Sequence, residues 1–79
     1  MYEKDIVGSS YYGRRSKKGG YDWIVCIEAA GCFITDPIDD WDKDNDYADE
    51  AQSNPALYER LDLEEAAAIL KRWGRNLRQ

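Results

Sequence analysis

Histidine, the side chain most often recruited to move protons near neutral pH, is absent from this 79-residue chain, so acid-base chemistry would fall to its sixteen carboxylates and nucleophilic chemistry to its two thiols. Cys26 lies between Val25 and Ile27, and Cys32 precedes Phe33 and Ile34. Apolar surroundings raise a thiol pKa and leave it inert, and without histidine neither cysteine has an activating base or a partner set for zinc. Two reduced core thiols are expected, with no catalytic residue, no metal and no other cofactor. Asp42, Asp44 and Asp46 do match the first three ligands of an EF-hand loop. That register then puts Tyr47 where glycine must turn the chain and Ser53 where a bidentate glutamate belongs. Starting from Asp40 puts Ala51 at the last ligand position, so a solvated acidic loop is the better expectation.

Charge is distributed very unevenly. Between Asp36 and Glu65 stand twelve acids and two bases, a net of −10, while the rest of the chain carries +5, so the overall −5 hides a strongly dipolar sequence. Eight of the acids, Asp36, Asp39, Asp40, Asp42, Asp44, Asp46, Asp49 and Glu50, fall within fifteen residues. Crowding of this kind opposes a compact state through self-repulsion and does nothing for folding. In an extended chain Asp42, Asp44 and Asp46 project to one side at about 6.6 Å intervals, comparable with the roughly 7 Å separation of phosphates along a nucleic-acid strand. Trp41 and Tyr47 stand among these acids, with Ile38 before them. Aromatics amid charge serve as interface anchors, or fold back to thicken a thin core; for Trp41 both readings stay open. The opposite charge gathers on Arg14, Arg15, Lys17 and Lys18, beside Tyr11, Tyr12 and Tyr21. Single-stranded nucleic-acid binders combine cations and rings in this way, although four cations on a hairpin tip more often solubilise it and protect an edge.

The elements that must carry these groups fit one domain, residues 1–79. A first strand is read near Tyr2 to Val7 and on to Tyr12, followed by a loop from Gly13 to Gly20. Asp22 to Glu28, rich in β-branched and aromatic residues, is the strongest strand, and Ala29-Ala30-Gly31 leads back into Cys32 to Thr35. If Gly31 closes a three-residue loop, Phe33 faces Ile27 and joins Trp23 and Val25 on the core face. The acidic stretch forms a loop or a short helix near Tyr47 to Gln52, ended by Ser53-Asn54-Pro55, with a further turn of helix starting at Pro55. Asp62 and Glu65 make a capping box, and Leu63, Ala66, Ala67, Leu70 and Trp73 form one stripe of a C-terminal helix ended by Gly74. The expected fold is α+β: a three-stranded antiparallel sheet, β-β-β-α, packed on its Trp23, Val25, Ile27, Phe33 face by that helix.

No stretch approaches the twenty or so apolar residues of a membrane span, and Met1 to Val7 lacks the apolar centre of a secretory signal, so a cytoplasmic protein without membrane association is expected. In size, charge and plain fold the whole chain resembles the DNA-mimic inhibitors of phages and mobile elements, and the anti-CRISPR proteins as a class. The likeness rests on those general properties rather than on a motif, and no residue role comes with it. It implies a non-enzymatic inhibitor whose acidic face fills the positively charged DNA channel of a nucleic-acid-handling complex, such as a CRISPR effector, without binding nucleic acid itself. On that reading the partner-binding residues are Asp36, Asp39, Asp40, Trp41, Asp42, Asp44, Asp46, Tyr47, Asp49 and Glu50. One alternative is a nucleic-acid or ribonucleoprotein accessory that binds through the basic Tyr/Arg/Lys hairpin. Another is an assembly protein pairing head to tail through its opposite charges.

Overall fold

The stretch richest in strand formers becomes the middle of the sheet. The computed structural model describes residues 9–78, in which β1 (Ser10–Arg15), β2 (Tyr21–Glu28), β3 (Gly31–Thr35) and β4 (Asp42–Lys43) are followed by helix α1 (Tyr47–Ser53), strand β5 (Tyr58–Leu61) and helix α2 (Leu63–Arg72). All pairings are antiparallel and the strand order is β4-β3-β2-β1-β5. The strand expected at Tyr2 to Val7 lies outside the described residues. Gly13, Arg14 and Arg15, expected in a loop, belong to β1.

The three-stranded β-β-β-α expectation is therefore corrected to a five-stranded antiparallel sheet with two helices. Both additional strands are border strands too short to leave a periodic signal. β4 is two charged residues, which pair with Phe33 and Ile34. β5 occupies the place where a turn of helix was expected after Pro55. Tyr58 and Leu61 end it, and each is buried on a different face of the sheet, so no one-sided apolar pattern marks it.

The second hairpin is also corrected. Its turn contains two residues, Ala29 and Ala30, with Glu28 paired to Gly31, so Phe33 faces Cys26 and Cys32 faces Ile27. Shifting a register by one residue moves every side chain to the other face. Gly31 is required here: its φ is +138°, and a Cβ would come within 2.8 Å of Lys43 Cε and 2.9 Å of Asn45 Oδ1.

Each face of the sheet has its own core. Ile24, Cys26, Tyr11 and Leu61 pack beneath Ala66 and Leu70 of α2, with Ile69, Trp73, Trp41 and Leu77 around them. Val25, Cys32 and Tyr58 pack beneath Ala51 of α1, with Trp23, Ile27, Ile34 and Tyr47 around them. The Trp23, Val25, Ile27 face is thus covered by α1 and not, as expected, by the C-terminal helix. α2 begins as its sequence requires: Asp62 accepts from the Glu65 amide at 2.8 Å and Glu65 accepts from the Asp62 amide at 3.1 Å. Gly74, with φ +75°, follows its last turn. Leu63, expected on the buried stripe, is 57% exposed, and Ile69 joins the core in its place.

Beyond α2 the chain folds back over the sheet. Arg78 Nε lies 2.6 Å from Glu28 Oε2, and the guanidinium sits 3.4 Å above the Phe33 ring. The Tyr11 hydroxyl accepts from the Arg78 amide at 3.0 Å. This return segment places Arg75 against the loop between β3 and β4, where the acids begin.

Candidate functional site

The acidic run starts in a tightly fixed loop. Asp36 Oδ1 accepts from the amides of Ile38 at 2.9 Å and Asp39 at 2.7 Å, and the Asp36 amide donates to the Asp39 carbonyl at 3.2 Å. Buried Thr35 donates through its hydroxyl to the same carbonyl. Arg75 reaches in from the return segment, donating to Thr35 Oγ1 at 3.1 Å, Asp39 O at 3.3 Å and Asp36 O at 3.2 Å. Asp40 lies 3.8 Å from Arg75 Nε and accepts from the Trp41 amide at 2.7 Å. Asp36 is thus half-buried and engaged by its own loop, whereas Asp39 and Asp40 are exposed. Ile38, between them and Pro37, is 87% exposed.

Further along, the carboxylates divide between exposed and engaged. Asp42 is exposed on β4, and Asp44 extends the pairing by donating its amide to the Cys32 carbonyl at 2.8 Å. The even spacing ends there. Asp46 has helical φ and ψ at the N-cap of α1, so the one-sided row expected of Asp42, Asp44 and Asp46 reaches only its second member. Asp44 Oδ1 instead accepts from the Asp46 amide at 3.2 Å. Glu50 is half-buried and accepts from the Tyr58 hydroxyl at 2.7 Å, while Asp46 at the N-cap and Asp49 in the first turn of α1 stand exposed.

Neither aromatic faces outward as an anchor. Trp41 meets Tyr11 edge-on at 6.4 Å between ring centres and donates its indole N–H to the Asn76 carbonyl at 3.0 Å. Tyr47 meets Trp23 edge-on at 6.0 Å. Both thicken the core, the second of the two readings their sequence left open for Trp41. Ile38 is the large apolar side chain that the acidic border leaves in solvent.

Folding also divides the acids that are contiguous in sequence. Asp42 lies on β4 and Glu59 on β5, the two outer strands of a five-stranded sheet, so four strand spacings, about 19 Å, separate them. The acids of the α2 N-terminus follow β5. The outer strand β4 therefore carries Asp42, with the Asp39 and Asp40 loop before it and α1, bearing Asp49, after it, whereas the opposite outer strand carries Glu59 and leads into Asp62, Glu64 and Glu65.

The basic hairpin is largely committed to the fold. Arg14 stacks on Trp23 at 5.3 Å, and Arg15 donates to the carbonyls of Pro55 at 2.7 Å and Ala56 at 3.2 Å. Tyr11 is 2% exposed, and Tyr21 donates to Glu59 at 2.7 Å. Lys17 and Lys18 remain at the exposed tip. The two thiols are free and buried on opposite faces, and burial pushes Cys26 up to about 11 and raises Cys32 as well. Among the described residues no three Asp, Glu or Cys side chains converge on a point that could hold a metal, and no helix is long and apolar enough to cross a membrane.

The role of Arg75 in fixing the acidic loop had no signal in the sequence, since an arginine shortly after a helix-ending glycine is ordinary. No family model, curated protein or solved structure matches the chain.

Proposed function

We propose that this domain is a non-enzymatic inhibitor that sets its β4–α1 border into a positively charged channel of a DNA-handling complex and so keeps DNA out. The observation carrying the reading is that Asp39, Asp42, Asp46 and Asp49, on β4 and the segments that flank it, stand exposed and, among the described residues, have no ion-pair partner. Side chains in that state meet Lys and Arg on a partner at little cost, and their field speeds encounter with a basic surface. Asp36 and Trp41 fix the segment before β4, and Tyr47 and Glu50 fix α1 after it. The setting is the cytoplasm, where such complexes work, and a CRISPR effector is one partner of the right chemistry.

Binding of nucleic acid through the basic hairpin has less support, because Arg14, Arg15, Tyr11 and Tyr21 are occupied within the fold and two lysines remain. The test is competition with labelled DNA for a panel of purified DNA-handling effectors. Wild type is compared with a variant carrying Asp39→Asn, Asp42→Asn, Asp46→Asn and Asp49→Asn, and with one carrying Lys17→Ser and Lys18→Ser. The reading expects the acidic variant to lose displacement while melting no earlier than wild type, and the hairpin variant to keep it. Displacement lost in the hairpin variant alone would transfer the function to the tip.

A further inference from the structure

An exposed leucine on a helix surface, such as Leu63, needs no special account, because the helix frame places some apolar side chains outward. Ile38 has no such frame. Its position follows from a loop in which the Asp36 amide and carbonyl, the Ile38 amide and the Asp39 amide and carbonyl are all hydrogen-bonded, three of these contacts running to Thr35 and Arg75. Pro37 restricts the chain just before it. Trp41, three residues on, folds inward, whereas Ile38 is held outward at 87% exposure.

We infer that Ile38 is the apolar anchor of the interface, seated in a hydrophobic socket on the partner protein that is rimmed by Lys or Arg side chains. The inference rests on the reading of the acidic border given above and adds the element that charge alone does not supply. The rim chemistry follows from complementarity to exposed Asp39 and Asp40, the two residues that directly follow Ile38. Because the loop is already fixed by Arg75 and Asp36, seating Ile38 loses little conformational freedom, the condition under which one buried side chain contributes most. A DNA channel proper has no use for an apolar knob. The socket therefore belongs to the protein wall of the channel, and it would let the inhibitor distinguish one basic protein from another.

The experiment uses the purified effector from which the wild-type domain displaces labelled DNA, with binding measured at low and at high salt. Ile38→Ser is expected to weaken binding about tenfold or more at both salts and to leave the salt dependence unchanged. Replacing the four exposed aspartates with asparagine should instead flatten the salt dependence. Pro37→Gly keeps Ile38 but loosens its loop, and should fall between wild type and Ile38→Ser. Melting temperatures should match wild type for Ile38→Ser, since its side chain touches solvent. If Ile38→Ser binds as wild type while the aspartate variant does not, the anchor is overturned and the acidic reading stands. Should the aspartate variant bind as wild type, the acidic reading falls. No displacement by wild type from any effector in the panel overturns both.

Discussion

Arg78 and Glu28 show how much a single pair holds in a chain this small. Their side chains are 25% and 17% exposed, and the arginine also covers Phe33. The Arg78 guanidinium holds the Glu28 carboxyl below its ordinary value. A lowered carboxyl pKa gives stability that is present above the unfolded value and is lost as pH falls through the folded one. Arg78→Met removes the guanidinium from above Phe33 and strands the carboxylate, so it should cost about 2 kcal/mol in urea melts at neutral pH. The deficit should shrink as pH drops below the usual glutamate range, and a deficit independent of pH would mean that packing alone is lost. Cys26 and Cys32 were legible as inert thiols from their neighbours. Both should resist alkylation in the native protein and react without any reductant once it is denatured, as mass spectrometry would show. Trp41 was less legible. Local sequence shows it among acids, while its partners, Tyr11 and Asn76, lie thirty or more positions away in the chain.

The helices and the inner strands could be read because their signals are local. Asp62 with Glu65 announced α2, and the β-branched run from Asp22 to Glu28 announced β2. Register could not be read in this way, since Ala29-Ala30-Gly31 admits a two-residue or a three-residue turn and the choice decides which face of β2 each β3 side chain shares. β4 and β5 were missed for a different reason: they exist because β3 and β1 offer open edges, a tertiary cause that two or four residues cannot signal. The same logic separates two leucines on α2. Leu70 is fully buried over Ile24 and Cys26, whereas Leu63 is mostly exposed. Leu70→Ala should cost about 2 to 4 kcal/mol and Leu63→Ala less than about 0.5, measured by equilibrium urea unfolding. Equal costs would mean that α2 packs through a different stripe.

At the scale of the whole molecule, the missing histidine leaves stability without a side chain to titrate between the acid and alkaline limbs. Burial leads the causes that push Tyr11 up to about 12, raise Tyr58 further and take Cys26 to about 11; the Glu59 carboxylate leads for Tyr21, up to about 12. Raised values of this kind contribute stability below the unfolded pKa and lose it as pH rises toward the folded one, because the unfolded chain sheds those protons first. Urea midpoints should therefore be nearly flat from about pH 5 to 9 and fall steeply above that. A midpoint that drifts through pH 7 would contradict it. The charge asymmetry was legible in the sequence, but its division between two borders was not, because strand order sets it. That order has a last consequence, for symmetry. β5 has no strand beyond it among the described residues, and a second copy could add there only through a two-fold axis perpendicular to the sheet. Such an axis pairs residues of the same face, so the two longest registers place Glu59 against Glu59 or Arg60 against Arg60. The sequence Tyr58-Glu59-Arg60-Leu61 thus repels its own image while still accepting a strand of different charge, and sedimentation of the purified domain should show one species whose mass does not change with concentration.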